Sequence, residues 1–393
     1  MKRALLSSLI IVSLASFALA QQVVTTVSGG SDQPTSLQSN IGGISVGYVK
    51  VGTKEVANLA WHPDFKIGPW ESGFDVNVAL GEEKPPEYES VVLRYLGYDD
   101  GKKGLRYGVI DNLTWGHGML ISNYSTRVYG PVLLNNEQMA WRGYLDMDSY
   151  VVRGLSTRTG VNGVRVEERI NPMLTLGQTV IMDSDGIVPA GTTEAQKVTG
   201  LGLDATMPLP FNLTGYAEYA QLVGHGGGFS AGLGWAWDIM LASADFYAEY
   251  RLLDKGFVPG YFNSDYEYNP VNLASAEASG NVKNGYAAKL GLNAFGFTTA
   301  SVVYENYNDS DSASITADLF AKLPRDIEVH YYYQQPDFVN FRSLTLEEGA
   351  VIGGSIAYPV NPYTKIVYHY KKAYDTSLSQ VVESQYYELR LSF

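Results

Sequence analysis

The strongest constraint on the fold is a period-two alternation of apolar and polar residues that recurs along most of the chain. In residues 242–252 the even positions carry Ala, Phe, Tyr and Leu, and the odd positions carry Ser, Asp, Tyr, Glu and Arg. Successive side chains of a strand point to opposite faces, so this pattern predicts strands with one apolar and one polar face. Similar segments lie at 314–321, 326–334 and 365–371. The longer segments reach about ten residues, which is enough for a tilted strand to cross a bilayer.

The connections between these segments alternate in length. Short joints, several of which contain proline, lie near residues 171–172, 207–211, 237–238, 295–296, 324–325 and 360–362. Longer polar stretches lie between them, at 183–196, 253–283, 309–312, 337–347 and 375–380. Short turns on one side and long loops on the other are typical of membrane barrels. The sequence therefore predicts an all-β, antiparallel, up-and-down transmembrane β-barrel of about 20 strands (16 to 20), with both termini periplasmic.

The last segment alternates in the same way and ends in an aromatic residue. One face carries Tyr387, Leu389, Leu391 and Phe393, and the other carries Glu388 and Arg390. This ending resembles the terminal strand of bacterial outer-membrane β-barrels of the porin-like type. The resemblance implies that these four apolar residues form the assembly signal for the barrel-assembly machinery, and that the barrel contacts outer-membrane lipids.

The N-terminus has the features of a secretory signal peptide. Lys2 and Arg3 precede an apolar stretch, and Ala18-Leu19-Ala20 is a small-residue cleavage site before Gln21. Residues 1–20 are therefore predicted to be the signal, 21–40 a flexible periplasmic lead, and 41–393 a single barrel in the outer membrane of a double-membraned bacterium. A lead of this length is too short to fold into a plug domain, which favours an open or loop-narrowed pore.

Composition excludes several other classes. The chain has no Cys, which excludes disulfides and thiol chemistry, and its 41 acidic residues outnumber 28 basic ones, without a basic patch for nucleic acid. Beyond residue 20 no apolar run is long enough for a spanning helix, yet the chain contains 29 Tyr. Barrel strands hide their hydrophobicity in alternation, and aromatic residues collect at membrane interfaces.

Charged residues at the predicted inner positions fall into two groups, which are predicted to line the pore. The basic group is Arg94, Arg106, Arg142, Arg153, Arg165, Arg169, Lys365, Lys371 and Arg390. The acidic group is Asp204, Glu218, Asp245, Glu249, Glu305, Asp318 and Glu328. Facing walls of opposite charge would create a transverse field that orients dipolar solutes. The alternative is that these charges pair across neighbouring strands.

Residues 113–138 are too apolar for an ordinary external loop. They form either a constriction loop inside the lumen or one more hairpin of the barrel.

The motifs for catalysis and metal binding are weak. His225-Gly226-Gly227-Gly228 runs into Gly228-Phe229-Ser230-Ala231-Gly232, which imitates two hydrolase motifs, but in true hydrolases these lie far apart and the Ser sits on a strand-turn-helix bend. The five His are dispersed, and Asp183-Ser184-Asp185-Gly186 lacks the distal Glu of a calcium loop. No catalytic residue, metal site or cofactor is predicted.

The combined prediction is a porin-like channel for passive or weakly selective diffusion of small hydrophilic solutes, in a chain that is a monomer or a homo-oligomer. One alternative is a structural or adhesive barrel with an occluded lumen, whose loop 253–283, rich in Tyr261, Phe262, Tyr266 and Tyr268, binds a surface partner. A second, weaker alternative is a barrel-type outer-membrane hydrolase.

Overall fold

The computed structural model describes most of the chain between residues 44 and 391. The described residues are 44–51, 54–61, 63–80, 90–110, 112–126, 139–189, 192–239, 242–264, 266–267, 270–294, 297–308, 313–338, 350–361, 364–375 and 380–391. The predicted signal peptide, the predicted lead, residues 127–138 and Phe393 lie outside them.

Within this part of the chain there are twenty-three strands, one short α-helix and one turn of 3-10 helix at Pro324–Asp326. The strands are β1 (Ile44–Val51), β2 (Lys54–Trp61), β3 (Asp64–Ile67), β4 (Trp70–Leu80), β5 (Ser90–Asp99), β6 (Lys103–Gly108), β7 (Leu113–Trp115), β8 (Ile121–Tyr124), β9 (Ala140–Asp146), β10 (Tyr150–Thr157), β11 (Val161–Asn171), β12 (Leu174–Ile187), β13 (Gln196–Leu209), β14 (Leu213–Leu222), β15 (Gly226–Ile239), β16 (Ala242–Leu253), β17 (Lys283–Ala294), β18 (Thr298–Tyr307), β19 (Ala313–Leu323), β20 (Ile327–Phe338), β21 (Val351–Asn361), β22 (Thr364–Asp375) and β23 (Gln380–Leu391). The helix α1 (Leu273–Ser279) begins after Asn272, whose side chain accepts a hydrogen bond from the Ser275 N–H.

Twenty-one of the described strands form one antiparallel sheet that closes on itself. β2 and β3 both pair with β4 and are two parts of one strand interrupted near Pro63, so the sheet has twenty strand positions around its circumference. β1 pairs with β2 on one side and with β23 on the other, which closes the sheet. The prediction of an all-β, up-and-down barrel of about 20 strands is confirmed.

The two rims of the barrel differ in the length of their connections. At the rim where β1 begins and β23 ends, here called the terminal rim, only two or three residues join consecutive strands, as at 100–102 and 172–173. The opposite rim carries the long connections, among them 188–195 and 254–282. The predicted turn at 237–238 is wrong, because β15 continues to Ile239. The periplasmic location of the termini remains a prediction.

The two faces of the wall differ in burial. In the pairing of β12 with β13, Val180 and Leu201 lie opposite each other and are exposed, whereas Ile181 and Gly200 also lie opposite each other and are buried. In a closed sheet the exposed apolar parity is the outer face and the buried parity is the inner face. Outer aromatic residues include Trp235 and Trp237, whose rings stack at 6.0 Å. Among the described residues no helix is long and apolar enough to cross a bilayer.

Candidate functional site

Two connections from the long-loop rim fold back against the inner face and form one unit. They are the described residues of 112–126, which include the hairpin β7–β8, and of 254–282, which include α1. Backbone hydrogen bonds join them: Ser122 N to Phe262 O at 3.0 Å, Phe262 N to Leu120 O at 3.2 Å, and Gly260 N to Met119 O at 2.9 Å. We call these two segments together the lumen insert.

The lumen insert packs an apolar cluster against one side of the barrel. Its own members include Trp115, Leu120, Ile121, Phe257 and Phe262, all nearly or fully buried. The barrel members come from β9 to β14 and β16, and they are Ala140, Leu155, Val161, Ile181, Val198, Ala220, Leu222 and Leu253. We call the inner face of β9–β16 the insert wall.

Glycines on the insert wall make room for this packing. A Cβ at Gly163 would lie 2.9 Å from the Trp115 ring, and one at Gly200 would lie 2.7 Å from Leu120 Cδ1. A Cβ at Gly228 would lie 2.6 Å from the Phe257 ring. Any larger side chain at these positions therefore collides with the lumen insert.

These contacts decide between the two interpretations of residues 113–138 and correct one expectation. Residues 112–126 form a hairpin that lies inside the barrel and is not part of its sheet, and 127–138 lie outside the described residues. In the alternative of an occluded barrel, the aromatic residues of 253–283 bind a surface partner. Instead Tyr261, Phe262 and Tyr266 are at most 1% exposed, because they pack on the hairpin and on each other. Tyr268 lies outside the described residues.

The tip of the hairpin, residues 116–119, is bound to the wall by a carboxylate. Glu218 on β14, only 3% exposed, accepts hydrogen bonds from the backbone N–H groups of His117 at 2.8 Å and Met119 at 3.3 Å. Gly116 has a φ of +67°, and a Cβ there would lie 2.7 Å from Glu218 Oε1. Only glycine fits this position without displacing the carboxylate or straining the turn.

The ring of His117 adds two further contacts to the tip. It stacks on Tyr216 with ring centroids 3.9 Å apart, and its Nε2 lies 2.8 Å from Thr206 Oγ1. Burial lowers the pKa of His117 to about 4, with the Asp204 carboxylate opposing that shift and the Arg165 guanidinium adding to it. The docked imidazole is therefore neutral near pH 7.

Polar side chains fix the other end of the lumen insert near the long-loop rim. Tyr266 donates to Asp183 at 2.8 Å, and Gln196 accepts from the Leu273 N–H at 2.8 Å and donates to Val271 O at 3.0 Å. Tyr124 donates to Glu267, whose pKa is raised chiefly by burial. His225 Nδ1 lies 2.5 Å from Glu277 on α1.

Charged residues of the insert wall, together with two residues of the neighbouring β18, form two groups of ion pairs, and the centre of each group is buried. Arg165 contacts Asp204 at 2.6 Å and Glu167 at 2.8 Å, and Glu167 also lies 3.5 Å from Arg153. Gly177 lies between the first two, since a Cβ there would be 2.3 Å from Asp204. These contacts join predicted members of the basic and the acidic group.

The second group is centred on Arg251, which is not among the predicted pore residues. Its guanidinium contacts Glu249 at 2.5 Å, Glu305 at 2.7 Å and the Tyr307 hydroxyl at 2.8 Å. Glu249 also accepts from Tyr216 at 3.1 Å, so this group continues to the ring on which His117 stacks. The only advance signal for Arg251 was its parity on β16.

On the inner face of β18–β22, here called the free wall, charged residues remain partly exposed. Asp318 lies 2.7 Å from His330, and Lys365 lies 2.6 Å from Glu328. The side chains of Glu328 and Lys365 are 24% and 22% exposed, against 5% for both Arg165 and Asp204. Ser301, Thr316 and Ser355 on the same face are also half-buried.

The remaining predicted pore residues are placed as follows. Arg106 lies 3.3 Å from Glu71 and 3.8 Å from the centre of the Tyr95 ring, and Arg94 is the extra residue at a bulge beside it. Arg142 and Asp245 are half-buried and form no ion pair within the described part of the chain. Arg169 is at the terminal rim, where it binds Asp146 at 2.9 Å. The side chains of Lys371 and Arg390 lie outside those described.

The structure describes three of the four residues of the predicted assembly signal. Tyr387 is 53% exposed on the outer face, and Leu389 pairs with Val46 of β1. Leu391 pairs with Ile44, and Phe393 lies outside the described residues. The last described residues of the chain thus form the closing seam of the barrel.

The hydrolase interpretation finds little geometric support. Ser230 lies in the middle of β15, directly opposite Glu218 on one side and Arg251 on the other. It is fully buried, and its hydroxyl has no hydrogen-bond partner among the described residues. His225, the nearest His in sequence, bonds Glu277 instead.

Solved structures that resemble this chain include several barrels. Pseudomonas aeruginosa OccK11 (OpdR) is 11% identical in sequence, with a TM-score of 0.43. The match covers 89% of this chain and 94% of the OccK11 chain. A BenF-like porin from Pseudomonas fluorescens Pf-5 is 10% identical with a TM-score of 0.41 (89% and 96% covered). Escherichia coli Wzi, described as a carbohydrate-binding β-barrel involved in group 1 capsule assembly, is 11% identical with a TM-score of 0.38 (90% and 84% covered).

No protein-family model matches the sequence, and no curated protein matches it. The likeness to solved barrels is too low to carry an inference about solute or activity. The closed antiparallel sheet and its exposed apolar outer face by themselves give the chain the fold of a porin-like outer-membrane β-barrel.

Proposed function

We propose that the protein is an outer-membrane channel for passive or weakly selective diffusion of small hydrophilic solutes, and that solutes pass between the lumen insert and the free wall. The observation that supports this is the partial exposure of the polar inner residues of β18–β22, such as Glu328, His330 and Lys365. Charges that face a dry, filled interior are buried and paired, as Arg165 and Asp204 are on the insert wall. Charges that remain partly exposed fit a hydrated passage.

The rival proposal is a structural barrel with an occluded lumen, and the size of the lumen insert favours it. Planar-bilayer recording of purified, heat-modifiable protein separates the two. We expect discrete, ohmic current steps in simple salt solutions. Folded protein that inserts into the bilayer and gives no steps would contradict the channel and support the occluded barrel.

We further propose secretion by cleavage before Gln21, assembly through the terminal strand, and lipid contact by the outer face. Pairing of Leu389 and Leu391 with β1 supports a role of the C-terminus in closure. Deletion of Phe393 is expected to lower the amount of heat-modifiable protein in outer-membrane fractions, because an unclosed sheet leaves unpaired edges in hydrocarbon. An unchanged folded yield would argue against this role. Chemical cross-linking in the membrane tests whether the protein forms a homo-oligomer.

The two charged groups are proposed to set ion preference. Several of their members pair with one another, as Arg165 does with Asp204 and Lys365 does with Glu328. These contacts favour paired charges over two uniform facing walls. Ion preference would then depend mainly on the partly exposed charges.

A further inference from the structure

We propose that the hairpin tip, residues 116–119, is a movable cover over Glu218, and that its displacement adds this carboxylate to the conducting surface and raises the preference for cations. The proposal rests on the channel function proposed above. It assigns a conformational role to a segment that otherwise only narrows the pore.

Glu218 is the group of the wall to which the backbone of the tip is hydrogen-bonded, and Met119 of the tip is also held by the Gly260 N–H and by the apolar cluster. The Glu218 carboxylate accepts the N–H groups of His117 and Met119, both from the same turn. The neighbouring acid, Asp204, lies opposite Glu218 in the register but is already bound to Arg165. Glu218 has no basic partner among the described residues, so the tip supplies its hydrogen-bond donors in the closed state.

The wall beneath the tip does not depend on the tip for its own structure. The pairings of β13, β14 and β15 run without a break past Glu218, and the hairpin belongs to a separate sheet. Displacement of the tip therefore leaves the barrel hydrogen bonds intact. It exposes a polar surface, with Thr206 and Ser230 beside Glu218, which water can solvate.

Ser230 gives independent support for a second state. Its hydroxyl is fully buried without a hydrogen-bond partner among the described residues, and it lies directly opposite Glu218. A buried hydroxyl without a partner costs free energy. When the tip leaves, water can bind both this hydroxyl and the Glu218 carboxylate, which offsets part of the cost of opening.

The test uses one substitution that opens the cover without removing the carboxylate. Gly116→Ala places a Cβ 2.7 Å from Glu218 Oε1 at a φ of +67°. Gly101→Ala is the matched control, since Gly101 has a φ of +85° in a terminal-rim turn and a Cβ there meets nothing within 4 Å. Because the chain has no Cys, Ser230→Cys introduces a single thiol as a reporter.

We expect the introduced thiol to react with a cationic methanethiosulfonate reagent at least tenfold faster with Gly116→Ala than without it. Gly101→Ala should leave the rate unchanged, and a thiol from Ser355→Cys on the free wall should react in every background. Heat-modifiability of each variant checks that the barrel has folded. Equal rates with and without Gly116→Ala in folded protein would overturn the cover.

Reversal potentials in a salt gradient test the second half of the proposal. Gly116→Ala should shift the reversal potential toward cations, and the double variant Gly116→Ala/Glu218→Gln should lose that shift while its thiol stays reactive. A reactive thiol with an unchanged reversal potential would overturn the role of Glu218 in conduction. Absence of current in every form would contradict the channel function, and the thiol rates would still decide whether the tip is a cover.

Discussion

The insert wall and the free wall are built from the same kind of alternating strand, yet their inner charges differ in environment. On the insert wall, Arg165 and Asp204 are 5% exposed and Glu218 is covered by the hairpin tip. On the free wall, Glu328 and Lys365 are about a quarter exposed, at 24% and 22%. The difference comes from what packs on the strand, since the alternation of the strands is the same. Similar ion pairs, Arg165 with Asp204 and Lys365 with Glu328, are therefore buried on one side and partly exposed on the other.

The largest expected effect is a difference between the two walls in how much one substitution lowers the free energy of unfolding. Arg165→Met leaves Asp204 buried without its cation, which is expected to cost about 3–5 kcal/mol. Lys365→Met removes a partly exposed pair and should cost less than about 1 kcal/mol. The midpoints of denaturant unfolding in detergent measure both. Equal losses would mean that the two walls do not differ in hydration.

The second effect tests the packing of the lumen insert. Gly228→Ala puts a Cβ 2.6 Å from the Phe257 ring and 2.9 Å from Met119, so we expect a loss of about 1–3 kcal/mol. Gly154→Ala is the control, because the nearest atom to its Cβ is 3.9 Å away. Thermal midpoints of the two variants should differ. Equal midpoints would show that the insert is packed more loosely than these distances indicate.

A smaller effect is expected on ion preference. Asp318→Asn with Glu328→Gln removes two partly exposed acids of the free wall and should shift the reversal potential toward anions, more at low salt because screening is weaker. Glu249→Gln removes an acid whose side chain is 6% exposed and should shift it less. A larger shift from Glu249→Gln would place the conducting path along the insert wall.

The smallest effect concerns pH. His117 in the docked tip has a pKa of about 4, below its ordinary 6.5, so the displaced tip binds the proton more tightly. The contribution of His117 to docking is therefore fully present above about pH 6.5 and is lost as the pH falls toward 4. The groups that face His117 are Glu218, Asp204, Arg165, Tyr216 and Thr206. Acidification from pH 7 to pH 5 should therefore favour opening more in the wild type than in His117→Gln, and the difference between the conductance changes of the two proteins measures this contribution. An identical pH response of the two proteins would exclude His117 as a source.

The sequence predicts the wall better than the interior, for a physical reason. On β16, parity alone places Phe246, Tyr250 and Leu252 outside and Glu249 and Arg251 inside, as the structure has them. Alternation is a local property of the backbone, so it does not depend on which segment packs against the strand. Which inner charges are buried depends on contacts such as that of Glu218 with His117, 101 residues away in the chain. No local pattern reports such a contact.

For the loop at 254–282, too, the sequence does not show what the segment packs against. Its Tyr261, Phe262 and Tyr266 were assigned to a surface partner in one alternative, whereas they pack inside the barrel. A signal for the lumen insert did exist in glycines at inner positions of β11, β13 and β15. Those positions are Gly163, Gly200, Gly202 and Gly228. Small residues that repeat on one inner face indicate that another segment lies close to it.

The seam between β1 and β23 has a consequence for the order of folding. Among the described residues, three pairs, from Ile44 with Leu391 to Val46 with Leu389, join strands that lie at opposite ends of the barrel sequence. Neighbouring hairpins form from contacts near in sequence, whereas this pairing bears the entropy of closing almost the entire chain into a ring. We expect it to form last. The segments 112–126 and 254–282 would then meet while the ring is still open, and closure would seal an interior that is already packed.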